Sequence, residues 1–450
     1  MSGSPDSPGF RVPDGSTSAP GGSTSAPDGS TSASDGSASG PVFPRQFWLL
    51  ALGFIVLITG VDMSFPFEST YLHERMGVSM TAIGLLIGLP VFVALPLYAL
   101  GGALTDRYGR KPAMVTGILV VAALYWTFAL AGSLWAIGAA IALEAAFGWA
   151  LFLTGSNAMV ADLVPFSRRA EAYSITRVTL HIGMVIGPLL AGVLLAGDPT
   201  FRTLFLTGGA ICGAYVLIVI VAFRETRPEA AAVEQRLLET LRGYVTVFGD
   251  RRYLVFCAMA LLPLYGFGQI WSVFPMVLRA EHGVAPATWG LVLTFYAVTV
   301  ALTQFPVIRL SRRGNKLLLM AAASAFTGIG LGGAGLVPWR LPTLAFVFVL
   351  GQGIVLLVPI SSAVAADLSP VPLRGRYMGT WTLVQTGGFA LGPTFGGMAM
   401  DVLGARGASW VNIGVGLAGA VLFALTAKRL GVGLGTPASA LHGQSPSRAA

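Results

Sequence analysis

Four ionisable side chains lie inside long apolar stretches of the chain: Asp62, Glu144, Arg177 and His181. An ionisable residue in such a stretch is costly in lipid and marks a functional site by default. Arg177 and His181 are four residues apart, so they share one face of a helix. A carboxyl or imidazole group in this setting can bind a proton on one side of a membrane and release it on the other. These four residues are therefore candidates for proton coupling.

Each candidate also has a structural interpretation. Glu144 and Arg177 could neutralise each other as a static buried pair. Asp62 could be a carboxylate that water reaches from an outer vestibule, and His181 could be a hydrogen-bonded core residue. The sequence leaves both interpretations open.

Signals of other chemistry are missing from the sequence. Cys212 and Cys257 lie in apolar runs without metal-ligand spacing, which is typical of buried thiols. We find no phosphate-binding loop, nucleophile elbow or metal-ligand cluster. The sequence therefore predicts a protein that is not an enzyme and uses no cofactor or metal. Because it would not hydrolyse ATP, a gradient would have to drive any transport.

The composition indicates a chain that lies mostly in lipid. Apolar residues make up 54% of the chain and charged residues only 11%, whereas soluble domains carry about 25% charged residues. Apolar stretches of about 20 residues, enough to cross a hydrocarbon core of about 30 Å, recur along it. The predicted spans are 46–67, 81–101, 113–132, 134–157, 173–196, 203–222, 253–276, 288–308, 316–337, 342–365, 377–400 and 409–428. The predicted fold class is an all-α membrane protein with twelve transmembrane helices.

The net charge of +8 is spread over the loops and is not gathered into one patch. This distribution favours a lipid bilayer over nucleic acid as the partner. Most of the basic residues lie in loops on the same side as the two termini. The positive-inside rule then predicts a multi-pass cell-membrane protein with both termini in the cytoplasm.

Five segments follow from these patterns. Residues 1–44 repeat a Ser/Gly/Pro/Asp-rich unit and are predicted to be a disordered cytoplasmic tail, and 431–450 to be a second one. Residues 45–222 and 253–430 are predicted six-helix bundles. The charged segment 223–252 is a predicted cytoplasmic linker with a short surface helix.

The two halves repeat each other along the sequence. A shift of 205 residues places 159–165 (MVADLVP) on 364–370 (VAADLSP) and Pro188 on Pro393. One gapless shift that aligns separate motifs indicates two similar halves, related by an axis along the membrane normal.

Two glycine-containing motifs carry a family resemblance. The loop after the second span reads GALTDRYGRK, with fixed positions at Gly102, Asp106, Arg107, Gly109, Arg110 and Lys111. The fifth span contains Gly183, Gly187, Pro188 and Gly192. The first motif matches the loop motif GxxxDRxGRK of the major facilitator superfamily, and the second resembles GxxxGPxxGG of its antiporters. Residues 46–428 resemble the twelve-helix drug:proton antiporter branch, which consists of bacterial efflux transporters.

This resemblance implies the major facilitator fold, with two pseudo-symmetric six-helix halves, and roles for the loop. Asp106 would cap the eleventh helix across the boundary between the halves and hold an outward-facing state. Arg110 would reach Asp162. The alternatives are that the loop is a solvated turn and that the glycines of the fifth span serve packing alone.

The resemblance also implies that helices 1 and 4 line a central cavity with helix 5 beside it. Glu144, Arg177 and His181 would then form one buried cluster. Many drug antiporters have an arginine four residues before the glycine that corresponds to Gly148. Glu144 occupies that position here, so the protein would either use a different proton carrier or have inverted the polarity of the site.

Aromatic and amide side chains of the cavity-lining helices suit an amphiphilic ligand. These are Trp149, Gln269, Tyr296, Gln304, Gln352, Trp381 and Gln385. The predicted function is proton-coupled efflux, by a monomer, of a small organic compound such as a drug, antibiotic or secondary metabolite. A proton-coupled nutrient importer and a non-transporting membrane receptor or assembly protein are the alternatives.

Overall fold

The computed structural model describes residues 43–197, 200–227, 246–311 and 314–429. Apart from residues 43 and 44, the predicted tails lie outside the described residues, and so does the predicted surface helix around 234–242. Every regular element in the described part is a helix, so the predicted all-α fold class is confirmed.

The helices of these ranges are labelled in chain order. They are α1 Arg45–Ser64, α2 Glu68–Met76, α3 Met80–Tyr108, α4 Arg110–Leu130, α5 Leu134–Leu163, α6 Arg169–Gly197, α7 Arg202–Ala222, α8 Arg251–Gln269, α9 Val273–His282, α10 Pro286–Ser311, α11 Lys316–Leu336, α12 Leu341–Asp367 and α13 Arg374–Arg429. Short 3₁₀ turns at Phe65–Phe67, Phe166–Arg168 and Val371–Leu373 precede α2, α6 and α13.

Each of the twelve predicted spans coincides with one helix, with a bent helix pair or with one arm of α13. By length and composition alone, nine helical segments of the described part can cross a membrane, or ten with the bent pair α8 and α9. Two features separate this count from twelve. The apolar segment Met80–Phe92 of α3 is too short to be counted as a span, and α13 is counted once although it holds two arms, 374–403 and 405–429, on either side of the non-helical Gly404.

The 205-residue repeat extends to the helix boundaries. Under this shift, the break between α1 and α2 at 65–67 falls on the break between α8 and α9 at 270–272. The turn Phe166–Arg168 falls on Val371–Leu373. The first half, α1–α7, and the second half, α8–α13, therefore have the same helix plan.

Helices within each half approach closely at small residues. A Cβ atom at Gly117 of α4 would lie 2.6 Å from the Gly148 carbonyl oxygen of α5, and one at Gly353 of α12 would lie 2.7 Å from the Thr327 nitrogen of α11. Lipid supplies no hydrophobic force between helices, so such close packing stabilises the bundle. Below, the motif end is the end of the bundle at the 102–111 loop, and the far end is the end where α2 meets α3.

Candidate functional site

A buried polar cluster surrounds the break between α1 and α2. Pro66 lies in the turn that separates the two helices, and Asp62 and Glu68 flank that turn with exposed fractions of 7% and 3%. Within the described residues, four buried oxygens here have no hydrogen-bond partner: Asp62 Oδ2, Ser64 Oγ, Glu68 Oε1 and Ser69 Oγ. An unpartnered buried polar group costs about 1–3 kcal/mol. These unpartnered oxygens therefore lower the stability of the fold, which indicates that they serve a function.

Two neighbouring helices bring further titratable groups to this cluster. Glu144 of α5 is close enough to Glu68 for the two carboxyls to interact electrostatically. Tyr125 of α4 is within electrostatic range of Asp62, Glu68 and Glu144, and its hydroxyl donates to the Val61 carbonyl at 3.4 Å. Among the ion pairs of the described residues, none involves these three carboxyls. We call Asp62, Glu68 and Glu144 the carboxyl cluster.

Glu68 is the member that sequence reasoning missed. The first predicted span ended at residue 67, which placed Glu68 at the membrane surface. The structure continues this span through a bend to Met76, over 32 residues. Two features of the sequence could have shown that the span continues. Pro66 can bend a helix without ending the span, and no basic residue lies between Asp62 and His73.

Glu144 and the basic pair of α6 make separate contacts in the described part of the chain. Glu144 Oε1 accepts the Trp149 backbone N–H at 3.3 Å, whereas His181 Nδ1 donates to the Arg177 carbonyl at 2.7 Å. The Arg177 side chain is exposed. Arg177 lies eleven residues, about three helical turns, before Pro188, so the two residues are on the same face of α6. Pro188 contacts Gly290 of α10 on that face. The predicted buried cluster of Glu144 with Arg177 and His181 is therefore not present in this conformation.

The loop motif forms a network within the first half. Arg110 Nε lies 3.0 Å from Asp162 Oδ2, and Arg110 Nη1 lies 3.3 Å from Asp106 Oδ1. The carboxylate of Glu225 caps α4 by accepting the backbone N–H groups of Arg110 at 2.9 Å and Lys111 at 3.0 Å. The Asp106 side chain is 60% exposed and, in the described contacts, pairs only with Arg110. The resemblance implies a bond from Asp106 to the eleventh span, residues 377–400 of α13. That bond is not formed in this conformation.

The remaining motif residues support the same turn. The Arg107 carbonyl accepts a hydrogen bond from Arg227 Nη1 at 2.6 Å. Lys111 Nζ donates to the Ile220 carbonyl at 2.7 Å and thereby ties α4 to the end of α7. Gly109 has φ 106°, where a side chain would be strained and would collide with the Glu225 carboxylate. Gly102 lies within α3.

The two halves touch at the far end through their backbones. A Cβ atom at Gly84 of α3 would lie 2.7 Å from Thr394 Cα of α13, and the Thr394 hydroxyl donates to the Gly84 carbonyl at 3.0 Å. A Cβ atom at Gly290 of α10 would lie 2.8 Å from the Gly192 nitrogen of α6. We call these contacts, α3 with α13 and α6 with α10, the far-end seal.

Charged groups reinforce this seal. Asp401 of α13 accepts the backbone N–H groups of Met80 at 3.1 Å and Thr81 at 2.7 Å, and the Thr81 hydroxyl at 2.7 Å. A carboxylate is favourable at a helix N-terminus, so the second half caps α3 of the first. Glu74 Oε1 of α2 also lies 2.7 Å from Arg279 Nε of α9.

The glycine motif of α6 packs on two sides. A Cβ atom at Gly183 would lie 2.7 Å from Ile58 Cβ, and one at Gly187 would lie 2.9 Å from backbone atoms of α1. A Cβ atom at Gly192 would lie 2.9 Å from the Ala287 carbonyl of α10. The motif therefore holds α6 against its own half and against the other half at once.

Two of the predicted cavity residues lie in the packing of the second half. The side chains of Gln269 and Asn412 exchange two hydrogen bonds, at 2.7 and 3.1 Å. Trp381 is buried, and its Nε1 donates to the Ser362 hydroxyl at 3.2 Å. Contrary to the prediction, neither side chain is available to a ligand in this conformation.

The other predicted cavity residues differ in exposure. The partly exposed ones are Trp149, Gln304, Gln352 and Gln385. Gln352 Nε2 donates to the Thr303 hydroxyl at 3.1 Å. Tyr296 is buried beside Trp271, which in turn contacts Phe65 of the first half. This aromatic contact joins the two span breaks across the boundary between the halves.

Solved transporter structures share this fold. The nucleoside transporter NupG matches with a TM-score of 0.72 and 14% identity, over 86% of this chain and 100% of that chain. A bacterial homolog of the human lysosomal transporter Spinster, in an inward-facing and occupied conformation, matches with a TM-score of 0.66 and 16% identity, over 87% of this chain and 98% of that one. At these identities the likeness concerns the fold alone.

Sequence relatives cover most of the chain. The uncharacterized MFS-type transporter YqjV of Bacillus subtilis (strain 168) is 26% identical over 363 residues, which are 80% of this chain and 87% of that protein. The multidrug resistance protein MdtH of Yersinia pestis (strain Pestoides F) is 30% identical over 356 residues, 77% of this chain and 84% of that protein. The family model of the Major Facilitator Superfamily matches residues 50–267 and 254–443. The predicted family is confirmed, and this multi-pass membrane transporter belongs to the Major Facilitator Superfamily.

Proposed function

We propose that this transporter exports a small amphiphilic organic compound in exchange for protons. The observation that supports coupling most directly is the carboxyl cluster, in which Asp62 and Glu68 are buried, Glu144 is half-buried, and none of the three has an ion-pair partner in the described residues. Buried carboxylates need compensation of their charge, and protons supply it reversibly. The similarity to MdtH, a protein named for multidrug resistance, supports an amphiphilic cargo.

Alternating access gives the far-end seal its role in this proposal. In the conformation described here the seal is formed and the Asp106 bond to the eleventh helix is not. We propose that the other conformation reverses this arrangement. There Asp106 contacts the eleventh span, the first arm of α13, and the far-end seal is broken. One chain contains both halves, so the transporter acts as a monomer.

The direct test of coupling is Glu144→Gln, which keeps the shape of the side chain and removes its charge. The expected result is a folded protein that still exchanges the fluorescent cation ethidium across proteoliposome membranes. Ethidium transport driven by an imposed pH gradient should fall at least about tenfold, because the carboxyl can no longer carry a proton.

Arg177→Gln separates this result from the structural interpretation of Glu144. If Glu144 instead served a static pair with Arg177, Glu144→Gln would leave a buried charge and cost about 3–5 kcal/mol of stability. Poor folding of Glu144→Gln, rescued by adding Arg177→Gln, would contradict the proposed role. Wild-type ethidium transport that is indifferent to a protonophore would contradict proton-coupled export itself.

We propose that the motif end is cytoplasmic. Single cysteines at Gly132, in the far-end loop between α4 and α5, and at Gly249, at the motif end, test this orientation. Both positions are exposed, and a Cβ atom there meets nothing within 4 Å. In a background with Cys212→Ala and Cys257→Ala, an impermeant thiol reagent should label Gly132→Cys on intact cells. Gly249→Cys should react only after permeabilisation, and the reverse pattern would invert the proposed topology.

A further inference from the structure

The two span breaks lie at corresponding positions of the two halves but differ in chemistry, and the second, with a bend of 57°, is the sharper of the two. The 205-residue shift pairs each polar residue of the first break with a residue of the second: Asp62 with Phe267, Ser64 with Gln269, Glu68 with Val273, and Ser69 with Phe274. Three of the four partners are apolar. The fourth, Gln269, has its amide bonded to Asn412 on both sides. Bending a span in this fold therefore requires neither a carboxyl group nor an unpartnered hydroxyl.

The first break keeps its polar atoms unpartnered in spite of their cost. Glu68 Oε1 and Ser69 Oγ at the start of α2 are buried without a hydrogen bond in the described residues, as is Asp62 Oδ2 one to two turns deeper. Since the second break folds without such groups, folding does not explain them. A positively charged occupant bound by these groups would explain them.

The groups that face the cluster identify the class of that occupant. They are Asp62 and Glu68 themselves, Tyr125 of α4, Glu144 of α5 and Cys212 of α7, which is in electrostatic range of Tyr125. The α6 stretch against Asp62, residues 183–187, carries no titratable side chain. No basic side chain faces the cluster in the described part; the nearest on α9, Arg279, pairs with Glu74. The site is built for positive charge.

Within the described part, the cluster does not offer a metal ion three or more acidic, histidine or cysteine ligands. Among the described residues, no group of three or more acidic, histidine or cysteine side chains is arranged to hold one. A proton needs only one carboxyl oxygen and can be shared between two.

We propose that Glu68 is a second proton-binding residue of the transport cycle and that Glu68 and Glu144 form a coupled pair holding one proton. This inference rests on the proposed proton-coupled function and adds a residue to it. Two interacting like charges do not ionise independently, and in this proposal the pair keeps one O–H bond while the far-end seal is formed.

The position of Glu68 gives the pair a route to the far end. Glu68 begins α2, and Glu74, six residues farther on, closes the far end through its ion pair with Arg279. When the far-end seal opens, α2 and α9 separate at that ion pair, and water reaches Glu68 first. Glu144 then exchanges protons with the far side through Glu68.

Infrared spectroscopy of the purified, full-length transporter in lipid nanodiscs tests the pair without any substrate. The C=O band of protonated carboxyls would be titrated against pH in wild type, Glu68→Gln, Glu144→Gln and the double variant. The double variant should lose the band area of one carboxyl. In each single variant, the midpoint of the remaining carboxyl should differ from wild type by about one pH unit or more, as for coupled sites. Glu281→Gln, which removes an ion-paired glutamate of the second half, should leave the band unchanged.

Three outcomes would overturn the inference. Single-variant changes that simply add in the double variant would remove the coupling. If the C=O band is unchanged in Glu68→Gln and Glu68→Asp also behaves as wild type, Glu68 is not a proton-binding residue. A band that disappears on adding Na⁺ at constant pH would make the occupant a metal cation. Because the spectra need no transport, a failure of ethidium export would count against the proposed function and leave the pair standing.

Discussion

Replacing Gly84 with valine should abolish transport and leave the protein folded. A Cβ atom at this position would lie 2.7 Å from Thr394 Cα and would also meet the Pro393 carbonyl. These are backbone atoms, so they cannot yield unless α13 moves. The contact belongs to the conformation with a closed far end, so the valine raises the free energy of that conformation alone. Overpacking costs about 1–3 kcal/mol, which corresponds to a shift of about 5- to 150-fold toward a far-end-open conformation.

A distance measurement across the far end checks this shift. Spin labels at Gly132 in the first half and Val402 in the second, both exposed, should move apart in Gly84→Val. Gly414→Val is the matched control, because a Cβ atom at Gly414 meets nothing within 4 Å. An unchanged distance together with normal transport in Gly84→Val would show that the far-end seal is no functional contact.

Replacing Asp162 with alanine should destabilise the transporter strongly. Asp162 lies 3.0 Å from the guanidinium of Arg110, which is buried, whereas the second acid at that guanidinium, Asp106, is mostly exposed. Removing Asp162 leaves a buried charge without its main partner, at a cost of about 3–5 kcal/mol. Thermal unfolding in detergent should show a large fall in the melting temperature.

The second half supplies the matched control for this prediction. The 205-residue shift places Asp162 on Asp367, whose partner is Lys316, and both side chains of that pair are about one-third exposed. An exposed pair contributes about 0–1 kcal/mol, so Asp367→Ala should change the melting temperature little. Adding Arg110→Leu to Asp162→Ala should recover stability. Equal losses for Asp162→Ala and Asp367→Ala would contradict the burial argument.

The fold was largely predictable because its signals are long and repeated. Runs of about 20 apolar residues have little alternative to a membrane helix, and a gapless shift of 205 residues relates the two halves. The same shift relates the helix breaks at 65–67 and 270–272. These signals depend on local composition and on internal repetition, and a single sequence contains both.

The site was less predictable because its contacts depend on rotation and bending of the helices. Apolar patterning cannot say that Pro66 bends a span and does not end it, so Glu68 was missed. Nor can it tell which face of α5 or α6 carries Glu144 or Arg177, and these two do not pair in the described contacts. The bonding of Gln269 to Asn412 across 143 residues has no local signal at all.

The N-terminus of α3 receives its Asp401 cap only after the second half of the chain has been synthesised. The backbone N–H groups of Met80 and Thr81 find this acceptor 320 to 321 residues later in the chain. At about 5–20 residues per second, a ribosome needs roughly 16–64 s to synthesise that stretch. During this interval Ser79, whose hydroxyl accepts the Ala82 N–H at 3.2 Å, is the local cap of α3. A nascent chain halted after α7 therefore lacks the Asp401 cap of α3. Folding of the first half is complete only after the eleventh span and Asp401, which follows it, have been synthesised.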